Sequence, residues 1–156
     1  NMAPRQHMRK MKVGKVTFDE AYKAVSEYRR KFPDKAVTFY AQNYPAMGWA
    51  VFMAGGSCPV IPCTDKDFLR DAAMMEVEET DTDDYRKMVK SGIGSIIYSK
   101  SGTEIPIRLS SGKYVLKYIH PGTGRVDVIY KSLKINEIYR LKTLEKGEGI
   151  YWFHKL

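Results

Sequence analysis

AMGWAVFMAGGSCPVIP, residues 46–62, is the stretch on which the reading of this chain turns. It is apolar from Ala46 to Ala54, breaks at Gly55 and Gly56, and runs out between Pro59 and Pro62. Such a run is either a helix inside a self-contained protein or a piece of a larger hydrophobic interior. Gly48, Gly55, Gly56, Ser57 and Cys58 interrupt it well short of the roughly 18 continuous apolar residues that suggest a membrane span. Asn43 can cap the helix, Pro45 is tolerated in its first turn, and the glycine pair can end it. Trp49, Phe52 and Met53 are therefore diagnostic. Their burial favours a self-contained α+β protein; a broad exposed stripe favours a truncated larger architecture or a tightly associated second polypeptide that covers the helix.

Toward the N-terminus, KAVTFYAQN reads as a short buried strand from Ala36 to Ala41. Before it, TFDE at 17–20 is a T-x-x-E capping box, and Phe18, Tyr22, Val25, Tyr28 and Phe32 follow at helical spacing. This predicts an amphipathic helix ending before Pro33. Residues 1–16 are basic and unpatterned, a leader expected to be flexible. Toward the C-terminus, Pro59 to Ile61 is extended, and TDKDFLRDAAMM predicts a helix capped by Thr64 or Asp65, with Phe68, Leu69, Ala72 and Met75 on one side. Residues 17–80 thus form a helix-rich segment.

Composition changes at EVEETDTDD, residues 76–84, where six of nine positions are acidic. Beyond it lie SIIYS, EIPIRL, YVLKYI, RVDVIY, EIYRLKTL and GIYWFHKL, separated by glycine-bearing turns such as SKSGT, SSGK and HPGTG. Short strands at this spacing predict a small antiparallel β-sandwich over 85–156. In the last strand Ile150, Trp152 and His154 face one way, and Tyr151, Phe153 and Lys155 the other. In KYVLKYI, Tyr114, Leu116 and Tyr118 share a face opposite Lys113, Val115, Lys117 and Ile119.

The chain has 156 residues, 44% of them hydrophobic, enough for one core or two small domains. Its net charge of +8 is uneven: +6 over 1–35, −7 over 36–84 and +9 over 85–156. A nucleic-acid reading would need the two basic ends to merge into one patch, so that partner is less favoured than solvated faces. Cys58 and Cys63 stand five apart in SCPVIPC, a spacing compatible with two unlinked buried thiols or a tight disulfide. His7, His120 and His154 show no ligand spacing, so no metal site is expected. AGGSCP is not a nucleophile elbow and lacks the Lys-Ser/Thr tail of a phosphate loop, and no cofactor is implied.

VTFYAQNYPAMGWAVFMAGGSCPVIP, the following DFLRDAAMM and the later GKYVLKYIHPGTGRV together resemble the C-terminal end of bacterial glycoside hydrolases in which a TIM-type barrel precedes a small β-sandwich. The resemblance covers about residues 34–156. It implies that W-A-V-F-M-A-G-G is the final barrel helix, in the last αβα unit of a (β/α) barrel. It also implies that G-K-Y with P-G-T-G belongs to a collagen-binding-like sandwich. Oligosaccharide or polysaccharide is the implied partner, and an exported setting, periplasmic or extracellular, is the implied location.

Glycoside hydrolysis needs two carboxyl groups across a cleft. The one strand end available is followed by AQNYPAMGW, which carries no acid. Asp65, Asp67 and Asp71 sit where helix capping and solvation explain them. The expectation is therefore a carbohydrate-active fragment or auxiliary part lacking its own catalytic pair. Gln42, Asn43, Tyr44 and Trp49 would supply a wall of the sugar site, with amides for hydroxyl groups and rings for sugar faces. Asn43 reads equally well as a helix cap, and Trp49 as core. The competing readings are a basic nucleic-acid-binding module and a protein-partner-binding α+β module without enzymatic activity.

Overall fold

In the computed structural model the described residues are 16–39, 46–100 and 102–156. The chain divides into two compact units, Asn1–Pro62 and Cys63–Leu156. It is an α+β protein whose described part contains three helices and two antiparallel sheets. None of those helices is long and apolar enough to cross a membrane.

In the first unit, helix α1 (Phe18–Lys31) begins on the capping box read from TFDE. The Glu20 amide donates to Thr17 Oγ1 at 3.3 Å, and the Thr17 amide donates to Glu20 Oε2 at 2.8 Å. Asp19 and Glu20 occupy its first turn and Arg29, Arg30 and Lys31 its last, each sign placed against the opposite end of the helix dipole. Helix α2 (Ala46–Met53) is the apolar run of the opening quotation. It ends where Gly55 takes φ +68° and the Gly56 amide donates to the Val51 carbonyl at 2.8 Å. Val25, Val37, Val51 and Ala54 form this unit's buried cluster, with Tyr22, Tyr28 and Phe39 against it.

Two corrections concern this unit. Every residue from Met47 to Ala54 is buried, with Trp49 and Met53 fully so, and α2 therefore offers no stripe for a second polypeptide to cover. The strand expected from Ala36 to Ala41 is reduced, among its described residues, to a single bridge at Phe39, with Ala36 exposed. The Val37 carbonyl is taken instead by the Ser57 amide, at 2.7 Å. Gly48 explains how closely the chain folds back here: a Cβ at that position would lie 1.7 Å from the Val60 carbonyl oxygen.

The second unit opens with helix α3 (Lys66–Met74), capped by Asp65, whose Oδ1 accepts from the Phe68 amide at 2.9 Å. The acidic stretch 76–84, where the composition changes, lies inside this unit and not at its edge. Eight strands follow: β1 (Glu76–Glu78), β2 (Tyr85–Lys90), β3 (Gly94–Ser99), β4 (Glu104–Arg108), β5 (Gly112–Ile119), β6 (Val126–Ile135), β7 (Ile138–Lys142) and β8 (Gly149–Lys155). Six form one sheet in the order β1-β2-β3-β8-β5-β6, and β4 pairs with β7 in a separate ribbon. All pairings are antiparallel.

The central strands alternate as their sequences predict, and this positions everything that follows. Tyr114, Leu116, Tyr151 and Phe153 join Ile97, Ile135 and the ribbon residues Ile105, Ile107 and Leu141 in one dry core. Trp152 and His154 point to the opposite face, where Phe68 of α3 meets the Trp152 ring edge-on at 5.4 Å. Strands β1 and β2 carry no sequence pattern that announces them. Arg86 and Lys87 are buried in β2, and a buried cation hides a strand from any count of apolar alternation. Their charges are met by Asp83 and Glu78.

Candidate functional site

The richest polar constellation among the described residues lies on the α3 side of the six-stranded sheet. It is assembled by two local patterns. The period-two alternation of β8 sends Trp152 and His154 to the same face. The helical period of α3 turns Phe68, Asp71 and Ala72 inward together. Asp71 is thus buried, 2% exposed, and not the surface acid its sequence position suggests; Leu69, expected on the buried side, is 43% exposed.

Buried carboxylates need partners, and Asp71 has three cationic or donor groups around it. Its Oδ2 accepts from Trp152 Nε1 at 3.1 Å and stands 2.6 Å from His154 Nδ1. Arg70 Nη1 belongs to Asp67, while its Nη2 approaches Asp71 Oδ1 at 3.6 Å. With the carboxylate as acceptor, His154 Nδ1 supplies the proton of this contact. On the next position of the same face, Lys117 Nζ sits 4.0 Å from the Trp152 ring centroid. Cys63 is near enough to feel the Lys117 charge, but burial outweighs it and pushes the thiol above its ordinary range.

Chemically this is a carboxylate orienting an imidazole, half of what a nucleophilic site requires. The hydroxyl or thiolate that would complete it is not among the hydrogen-bond partners of His154, and Cys63 is held as the neutral thiol. Its physical effect is to tie α3 to the last strand through charge-assisted hydrogen bonds. Sequence pattern placed Trp152 and His154 together on a face but not Asp71, 81 residues away from Trp152.

A second, exposed cluster lies at the β5–β6 turn. His120 Nε2 is 2.7 Å from Asp127 Oδ2, and Arg125 Nη2 donates to the same oxygen at 2.9 Å. The His120 hydrogen bond, reinforced by Arg125, holds the Asp127 carboxyl below its usual range. The turn itself is closed by the Gly124 amide donating to the His120 carbonyl at 2.8 Å, with Gly124 at φ +72°. His120 therefore sits in a turn, as expected, with its ring hydrogen-bonded to Asp127 there.

The sequence-derived wall residues fare differently. Gln42, Asn43 and Tyr44, and with them the Asn43 cap, lie outside the described residues, as does His7. Trp49 is 0% exposed and packs edge-on against Phe52 at 5.5 Å, so its ring is core and presents no face to a sugar. Trp152 is equally buried, and the described tyrosine with the greatest exposure is Tyr130 on β6. The exposed coplanar ring platform that a sugar surface would advertise is absent among the described residues. Both cysteines are free: Cys63 is buried as expected, whereas Cys58 is exposed at φ +54°. The described residues contain no group of three or more His, Cys, Asp or Glu able to hold a metal ion.

Comparison with known proteins adds little. A family model described as a domain of unknown function, DUF6298, matches residues 1–75. No curated protein matches. Among solved structures, a chain described as "Glycoside hydrolase" is similar at 9% identity and a TM-score of 0.40, over 53% of this chain and 20% of that one. The capsular polysaccharide assembling protein CapF from Staphylococcus aureus is similar at 16% identity and a TM-score of 0.23, over 53% of this chain and 28% of its own. Fe(II)-HppE with the alternative substrate (S)-1-HPP is similar at 9% identity and a TM-score of 0.27, over 90% and 100%. The chain thus spans well under a third of the first two. The three likenesses are distant and discordant with one another.

Proposed function

We propose that this chain is a non-catalytic part of a carbohydrate-active protein. In this reading the second unit is a β-rich module that acts in glycan binding, in an exported setting, and the first unit, with its apolar helix buried, is a support for that module rather than a barrel tail. The observation that carries it is the state of the acids. Hydrolysis of a glycosidic bond takes two carboxyl groups about 5–9.5 Å apart across a cleft. Among the described residues Asp71 is the single buried carboxylate, and it is already engaged by an indole, an imidazole and a guanidinium. The motif that carries the family resemblance, GKYVLKYIHPGTG, is a coherent piece of structure: all of it lies in β5 and the tight turn after it. That supports a module and not a scattered coincidence of residues.

The test is affinity electrophoresis of the chain through gels containing a panel of soluble polysaccharides, with reducing-sugar release measured on the same substrates. Retardation by at least one polysaccharide without release of reducing ends is the expected result. Hydrolysis that disappears in Asp71→Asn would overturn the non-catalytic assignment, and migration unaffected by every polysaccharide would overturn the glycan assignment.

A further inference from the structure

We propose that Lys113, Lys117 and Lys134, on the α3-side face of β5 and β6, form a docking surface for an anionic polysaccharide, one bearing uronate or sulfate groups. The inference rests on the glycan-associated reading and names its ligand class. Lys113 and Lys134 are direct cross-strand partners, and residues so placed have Cβ atoms about 5 Å apart. Both side chains are exposed. Lys117 lies on the same face of β5, four residues and about 13 Å further along the strand.

Like charges set directly opposite one another are unfavourable, and the cations of β2 in this sheet are each matched by an acid. Lys87 pairs with Glu78 at 2.7 Å, Lys90 with Glu76 at 2.7 Å and Arg86 with Asp83. Lys113, Lys117 and Lys134 have no acidic partner among the described residues, and the acid of that face, Asp71, is committed to Trp152 and His154. The half-buried Lys117 is held in place by its ammonium group, which sits 4.0 Å from the Trp152 ring centroid. Three cations at spacings of about 5 and 13 Å suit charges repeated along a polymer better than one small anion. Single-stranded nucleic acid would stack its bases on exposed rings, and the indole of this face is buried under Lys117.

The experiment measures binding of the full chain to polygalacturonate, heparin, a neutral β-glucan and a short DNA duplex at 50 and 200 mM salt. Polygalacturonate or heparin is bound, about ten-fold or more weaker at the higher salt, as expected when several cations release counterions from a polyanion. Lys113→Gln with Lys134→Gln weakens that binding about ten-fold with the circular dichroism spectrum unchanged, while Lys142→Gln with Lys146→Gln leaves it intact. Should the double variant fold poorly, Lys134→Gln alone, on the edge strand, gives the same comparison. Polyanion binding that ignores both lysine variants, or binding confined to the neutral glucan, overturns the lysine surface and leaves the glycan reading standing. No binding to any polysaccharide overturns both, as does a preference for the DNA duplex.

Discussion

The two faces of the six-stranded sheet are made by the same strands and solve burial in opposite ways. Toward the β4–β7 ribbon, β8 contributes Tyr151 and Phe153 to a cluster of isoleucines, leucines and tyrosines in which close packing does the stabilising. Toward α3, the alternate residues Trp152 and His154 enclose a carboxylate, and the contact holds because every donor has an acceptor. The dry face tolerates exchange of one apolar side chain for another of like volume. The polar face fails when one partner is removed, since the others are then left buried and unsatisfied.

The largest expected effect is on the dry face. Phe153→Ala removes a fully buried ring beside Tyr139 and lowers stability by about 3–5 kcal/mol, read from urea unfolding followed by tryptophan fluorescence. Asp71→Ala on the polar face leaves Trp152 Nε1 and His154 Nδ1 without their acceptor and costs about 2–3 kcal/mol by the same measurement. If Asp71→Ala proved neutral, the contrast between the faces would collapse.

An alkaline titration sharpens the same comparison. Burial raises the phenols of Tyr118, Tyr139 and Tyr151 on the ribbon side above their ordinary value, and raises the Cys63 thiol as well. The native state therefore keeps protons that the unfolded chain would release. Their stabilisation is complete below about pH 9 and is lost as pH climbs through the raised values. Melting temperature should be flat from neutrality to about pH 9 and then fall, and Tyr151→Phe should lessen the fall. The smallest effect belongs to neither core. Arg140 and Glu104 pair at 3.0 Å across the ribbon with both side chains largely solvated, and Arg140→Gln should change stability by less than about 1 kcal/mol.

Local chemistry made much of this fold legible. The Thr17–Glu20 box, the Asp65 cap, the end of α2 at the glycine pair and the six strands from SIIYS to GIYWFHKL are all written in short-range patterns. What escaped was carried by residues whose partners are distant in sequence. Arg86 and Lys87 disguised β2, because their buried charges are stabilised by Asp83 and Glu78 and not by an apolar pattern. Asp71 read as a surface acid because nothing within a helical turn of it reveals Trp152 and His154. Of the proposed sugar wall, Trp49 is core, and the remaining three residues lie outside the described part.

By itself the sequence determined where α1 and α3 begin and where all three helices end, which side chains of β5 and β8 share a face, and how unevenly charge is spread along the chain. Those properties depend on backbone period, capping and residue type within a few positions. Tertiary structure alone decided that α2 is buried from Met47 to Met53, that α3 belongs with the strands, and that a lone aspartate is shared by an indole and an imidazole. The physical reason is that burial and hydrogen-bond satisfaction are properties of pairs, and these pairs are closed by the folded chain across separations of up to 83 residues.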